Sequence, residues 1–177
     1  MHWGPYSKLK ITDDRDHWQR WLTLKGSMTR AMEGVGDVAI ELIHRGKGRL
    51  FIDEARYLCL DPRQAVFVRE VIMTIQKRPV LFGRTIIPWH LRTGPLNPFF
   101  SLGKRAIGKL LFAHPHCTRS DFDFELLKDD MPLAKRIPPL PEVTPPCYTR
   151  RSCFHIENHP LLLSEVFFPS FGEMCFR

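Results

Sequence analysis

The chain has 177 residues, 44% of them apolar, the size and make-up of one globular domain with a real core. No run of eighteen apolar residues is present, so no membrane insertion is expected. The net charge is +7, but Lys and Arg are spread along the chain without a block of five like charges, so a small anion is as good a partner as nucleic acid. Cys59, Cys117, Cys147, Cys153 and Cys175 are an odd set with no CxxC pair, which argues against a disulfide framework and a zinc knuckle. Met1 to Pro5 lacks the basic and apolar segments of a signal peptide, so the cytoplasm is the default.

Residues 1–12 read as a loosely held arm. Asp13 or Asp14 is placed to cap a helix through His17 and Leu24, with Trp18, Trp21 and Leu22 on one apolar face. Gly26 ends it, and Ser27 caps a second short helix. The amides after Ser27 suit an anion, although a plain capped helix has the same pattern. Val38 to His44 reads as a strand, Arg45-Gly46-Lys47-Gly48 as a turn, and 50–63 as holding a short helical turn.

Gln64 to Ile75 is strand-like, with Phe67, Arg69, Val71 and Met73 on one face. Gln76-Lys77-Arg78-Pro79 turns it into a partner strand, Val80 to Pro88, with Arg84 inside and Gly83 as a point of close approach. A polar connection, His90 to Pro98, leads to helical spacing over 99–112, broken near Gly103 and Gly108. Gly103 to Lys109 matches GxxxxGK, but Leu110 stands where a Mg²⁺-binding Ser or Thr is needed, so nucleotide binding is not supported. His114-Pro115-His116 has no third ligand at metal spacing and reads as a surface turn.

Asp121 to Leu127 alternates acidic and apolar residues, a half-exposed strand. Residues 131–146 hold six prolines and read as an extended crossing. Cys147 to Ile156 is a further strand containing Arg150 and Arg151. Between Pro160 and Pro169 lie eight residues, six of them apolar, which fit a strand buried on both faces. One of those faces carries Leu161, Leu163, Glu165 and Phe167. The tail, 170–177, is expected to be exposed with Phe171 and Phe176 docked back.

Short helices followed by strands with hairpin-length turns indicate an α+β fold, a single domain over 1–177 built on an antiparallel sheet. Arg69, Arg84 and Glu165 stand where apolar residues belong. Buried charges must be paired or used. They form either a structural ion-pair network or a closed pocket, with Arg69 receiving a carboxylate and Glu165 acting at the far end of a small ligand.

In order along the chain stand Trp21-Leu22, Ser27-Met28-Thr29, Val68-Arg69-Glu70-Val71, Gly83-Arg84-Thr85-Ile86-Ile87-Pro88 and Gly94-Pro95. Leu102-Gly103-Lys104, Ile107 to Phe112, Arg150-Arg151-Ser152 and Pro160 to Pro169 complete the series. Together they resemble bacterial chorismate lyase. The resemblance implies an antiparallel sheet of about six strands packed with helices, and a buried ligand cavity under helical flaps. It implies no metal and no organic cofactor. Arg69 would bind the ring carboxylate, helped by backbone amides of Met28 and Ile107, and Glu165 would bind the ring hydroxyl. The family more often has Leu at position 107. Arg84 would lie near the departing enolpyruvate. The expected activity is conversion of chorismate to 4-hydroxybenzoate and pyruvate for ubiquinone biosynthesis, by a cytoplasmic monomer without nucleic-acid partners. The alternative is a non-catalytic sensor of small aromatic acids, because effector domains of some bacterial transcription regulators resemble this fold.

Overall fold

Two hairpins with two-residue turns make the centre of the sheet. The computed structural model describes residues 2–12, 14–141, 143 and 146–174. Strands β2 (Val66–Ile75) and β3 (Arg78–Pro88) are joined by Gln76 and Lys77, with φ of 50° and 68°. Strands β6 (Cys147–Ile156) and β7 (His159–Phe167) are joined by Glu157 and Asn158, with φ of 49° and 65°. Paired left-handed residues give the turn whose twist matches the flanking strands. Strands β3 and β7 then pair antiparallel, from Leu81 opposite Phe167 to Ile86 opposite Leu162.

Strand β1 (Val38–Gly48) forms the edge beside β2. At the other edge β4 (Cys117–Arg119) and β5 (Asp123–Leu127) pair one after the other along β6. Seven strands therefore occupy six positions, where about six strands were expected. All pairings are antiparallel.

Each face of the sheet carries its own apolar core. One is covered by α1 (Arg15–Leu22), α2 (Met28–Glu33), α4 (Asn97–Phe100) and α5 (Ile107–Ala113). Trp18, Trp21 and Leu22 of α1 are all buried there, and the Asp14 side chain caps that helix by accepting from the His17 amide. Helix α3 (Ile52–Leu58) and the proline-rich crossing cover the opposite face. Each buried Leu or Phe contributes about 1.5–3 kcal/mol.

Three local expectations change. Arg45 to Gly48 is not a turn but the second half of β1, resumed after a register shift between Leu42 and His44. Gly48 permits this, because a methyl group there would stand 2.6 Å from Val68 Cγ2. The N-terminal arm is held: Gly4 bridges to Phe124, Trp3 Nε1 donates to Asp53 Oδ2 at 2.8 Å, and Leu9 is buried. The tail forms a turn of 3₁₀ helix over Pro169–Glu173, with Ser170 buried and Phe171 buried against Trp21 and Phe167. Asp13 and Phe176 lie outside the described residues.

Candidate active site

Strand alternation decides which charges meet. Arg69 lies opposite Thr85, and Thr85 opposite Leu163. One row along, Val71 lies opposite Gly83, Gly83 opposite Glu165, and Glu165 opposite Arg150. Residues opposite one another in antiparallel strands share a face. Arg69 and Glu165 are thus two strands apart on one face, roughly 10 Å of sheet that long side chains at each end can span. Gly83, with no side chain, forms the floor between Val71 and Glu165.

Above this floor is a cavity. Its roof is the first turns of α2 and α5, including Met28, Thr29, Ile107 and Gly108. The two roof helices touch: a methyl group on Gly108 would stand 2.8 Å from Ser27 Oγ. That hydroxyl also caps α2, accepting from the Arg30 amide at 3.3 Å. The cavity offers about 50 Å³ to the centres of water-sized spheres, several times the ~10–15 Å³ that one water needs by this measure.

Arg69 is 2% exposed. Its Nε donates to the Gly103 carbonyl at 3.0 Å and its Nη2 to the Arg105 carbonyl at 2.8 Å. The loop before α5 therefore fixes the guanidinium. Among the described residues no carboxylate lies within ion-pair distance of it. Burial pushes it down to about 10, so it remains a cation at neutral pH. Met28 and Ile107 are each the first residue of a roof helix, where amides have no partner within the helix. Thr85 Oγ1, also on the cavity wall, is buried without a hydrogen-bond partner among the described residues.

Glu165 is tied down on one oxygen. Arg150 Nε donates to Oε2 at 2.6 Å, while Arg150 Nη1 donates to the carbonyls of Trp21, Leu22 and Leu24. Arg119 Nη2 lies 3.9 Å from the same Oε2. Glu165 Oε1 receives no hydrogen bond from the described residues and is the acceptor left for a ligand.

Arg84 does not join this site. It lies opposite Glu70, on the other face of the sheet. There its Nε meets Glu54 Oε1 at 2.7 Å, its Nη1 meets Glu70 Oε1 at 2.6 Å, and its Nη2 reaches Glu54 and the Arg49 carbonyl. Arg136 closes the cluster with three hydrogen bonds to Glu70. Burial pulls the Arg84 guanidinium down, but Glu54 and Glu70 outweigh it and hold it above its usual range. The placement beside a departing group is thus corrected: a bulge moves Arg84 to the far face, into a neutralised network. Conversely, Arg119 and Arg150 line the cavity and were not singled out. The two-residue Glu157-Asn158 turn was the available signal for Arg150, since it sets Arg150 directly opposite Glu165.

Known proteins of the same fold include the effector domain of PhnF from Mycobacterium smegmatis. It aligns over 82% of this chain and 90% of its own length, at 14% identity and TM-score 0.55. A GntR-family transcriptional regulator from Bacillus cereus aligns over 76% of this chain and 94% of its own, at 9% identity and TM-score 0.53. At such identities the likeness concerns fold alone. Sequence relatives are nearer. A chorismate pyruvate-lyase of Hamiltonella defensa is 34% identical, covering 88% of this chain and 79% of the relative. A probable chorismate pyruvate-lyase of Nitrosomonas europaea is 32% identical, covering 89% of each. One from Methylobacillus flagellatus is 29% identical over 92% of each. The family model described as chorismate lyase matches residues 6–173, and the chain belongs to that family.

Proposed function

We propose that the protein converts chorismate to 4-hydroxybenzoate and pyruvate, a step that feeds ubiquinone biosynthesis, and that it does so as a cytoplasmic monomer. One observation carries the reading: within a family of this activity, a buried arginine without a carboxylate partner among the described residues and a carboxylate with one oxygen that these residues leave free both line a small cavity. A ring with a carboxylate at one end and a hydroxyl at the other matches both.

Arg69 receives the ring carboxylate, and the first-turn amides at Met28 and Ile107 add donors. Glu165 accepts the C4 hydroxyl through Oε1, while Arg150 holds Oε2 and so fixes the carboxylate plane. Chorismate then loses its C3–O bond, the electron pair leaving with the enolpyruvyl oxygen. The C4 hydrogen departs as a proton, the ring becomes aromatic, and the methylene carbon of the enolpyruvate gains a proton to give pyruvate. Atoms and electrons balance without water or a redox partner. Aromatisation drives the reaction, so the residues contribute by holding a reactive conformer and stabilising charge. A closed pocket shaped for a flat aromatic acid also retains its product.

The test is to mix EDTA-treated protein with chorismate and follow 4-hydroxybenzoate and pyruvate together. Equal release well above spontaneous breakdown is expected, and release that halts near one equivalent would show product retention. Binding of 4-hydroxybenzoate with no turnover would replace the enzyme reading by that of a sensor.

A further inference from the structure

We propose that Arg119 binds the enolpyruvyl carboxylate of the substrate, making it a second anion site beside Glu165; the inference rests on the chorismate-lyase reading above. The side chain enters from the sheet edge. Arg119 lies opposite Phe154, on the cavity face, and its guanidinium sits 4.0 Å from the centre of the Phe122 ring and 4.6 Å from that of Phe154. Its Nε donates to Ser152 Oγ at 2.8 Å and its Nη1 to the Lys25 carbonyl at 3.1 Å. These bonds anchor two of the three nitrogens. The third, Nη2, carries no hydrogen bond among the described residues, and at 3.9 Å it is too far from Glu165 Oε2 to make one.

Charge count makes the vacancy specific. Among the described residues the cavity is lined by Arg69, Arg119 and Arg150 against Glu165, a net charge of +2. Chorismate carries two carboxylates, and 4-hydroxybenzoate carries one. Arg69 answers the ring carboxylate and Arg150 answers Glu165, which leaves Arg119 for the second. Position agrees with charge. The enolpyruvyl ether is on C3, next to the C4 hydroxyl that Glu165 accepts, so its carboxylate falls on the flank of Glu165, where Arg119 stands. Burial pushes the Arg119 guanidinium down to about 10, as expected for a cation only partly compensated by Glu165. As the C3–O bond breaks, negative charge grows on the departing enolpyruvate. A fixed guanidinium there stabilises that charge more than it stabilises the ground state.

The test crosses a protein change with a substrate change: Arg119→Met, and chorismate esterified only at its enolpyruvyl carboxyl. Each alone is expected to lower kcat/KM by about 100-fold. Together they should lower it little further, because both remove the same contact. Affinity for 4-hydroxybenzoate should stay within about 3-fold of wild type. Wild-type protein that handles the ester as well as chorismate would overturn the inference, and this arm needs no variant to fold. So would losses that multiply, or an Arg119→Met variant that loses 4-hydroxybenzoate binding as far as turnover. Wild-type protein with no activity on chorismate would overturn the enzyme reading itself, and the inference with it.

Discussion

On one face of the sheet Arg84 directs its donors at Glu54, Glu70 and a carbonyl; on the other, Arg69 reaches two carbonyls and, among the described residues, no acid. The two clusters use the same strands: Arg69 and Glu70 are neighbours in β2, and Arg84 and Thr85 in β3. Each is buried to a few per cent exposure. Their charge balance differs. Arg84 and Arg136 face Glu54 and Glu70, which sum to zero. Among the described residues, Arg69, Arg119 and Arg150 face only Glu165. A neutralised buried cluster holds parts together, whereas an unneutralised one beside a cavity holds a place for an anion. Burial by itself does not separate the two cases; the count of partners does.

Breaking each cluster should therefore give opposite phenotypes. The largest effect is expected from Glu165→Gln, which keeps the shape and removes the anion. Chorismate turnover per folded molecule should fall about 100-fold or more; Arg150 keeps only a neutral acceptor in place of its buried carboxylate, so some stability is lost as well. Near-normal turnover would remove Glu165 from the chemistry. Next is Arg84→Met, which strands the buried Glu54 and leaves Glu70 with Arg136 alone among the described residues. A loss of about 3–5 kcal/mol is typical for breaking such a pair, or roughly 6–20 °C in Tm at this chain length. Turnover per folded molecule should remain near wild type; a folded but inactive variant would erase the distinction between the faces. Third is Arg69→Ala. Losing a charged hydrogen-bond partner costs about 1.5–3 kcal/mol, so calorimetry should show 4-hydroxybenzoate affinity falling about 10- to 150-fold. Its Tm should hold within a few degrees, because no acid loses a partner.

The same hairpin logic shows what the sequence could reveal. Strands, their order along the chain and the antiparallel α+β class were legible from apolar runs and turn spacing. So was the face shared by Phe67, Arg69, Val71 and Met73, because alternation within one strand needs no partner. Register between strands was harder. A plain two-residue turn at Gln76-Lys77 would set Arg69 opposite Arg84 and bring both into the cavity. Pairing instead shifts between Thr74 opposite Pro79 and Met73 opposite Leu81, so Val80 is an extra residue. That single insertion sends Arg84 to the other face. At Glu157-Asn158 no bulge intervenes, and the plain count gives Arg150 opposite Glu165 correctly. Arg119 was beyond reach, since β4 is three residues long and its pairing depends on tertiary packing.

The smallest expected effect sharpens the contrast within the neutral cluster itself. Glu70 is fully buried, while the Arg136 side chain that pairs with it is 43% exposed. Burial pushes the Glu70 carboxyl up, but hydrogen bonds and charge from Arg136 and Arg84 overcome this and hold it below the usual range. As pH falls, the unfolded chain therefore takes up this proton first, near the ordinary value of about 4.3. The stabilisation is fully present above that value and is lost as pH drops toward the folded-state value. Arg136→Ala should raise the folded-state value, so its stability declines less steeply on acidification than that of wild type. At neutral pH the cost should be about 1 kcal/mol or less, because water and salt already screen the exposed partner. Urea unfolding from neutral pH to about pH 3, repeated near 1 M salt where the Debye length is ~3 Å, measures both. The difference between Arg136→Ala and wild type should shrink in salt, while the larger deficit of Arg84→Met should persist. Equal salt sensitivity in the two variants would mean that Arg84 is as well solvated as Arg136, and that the cluster is a surface network rather than part of the core.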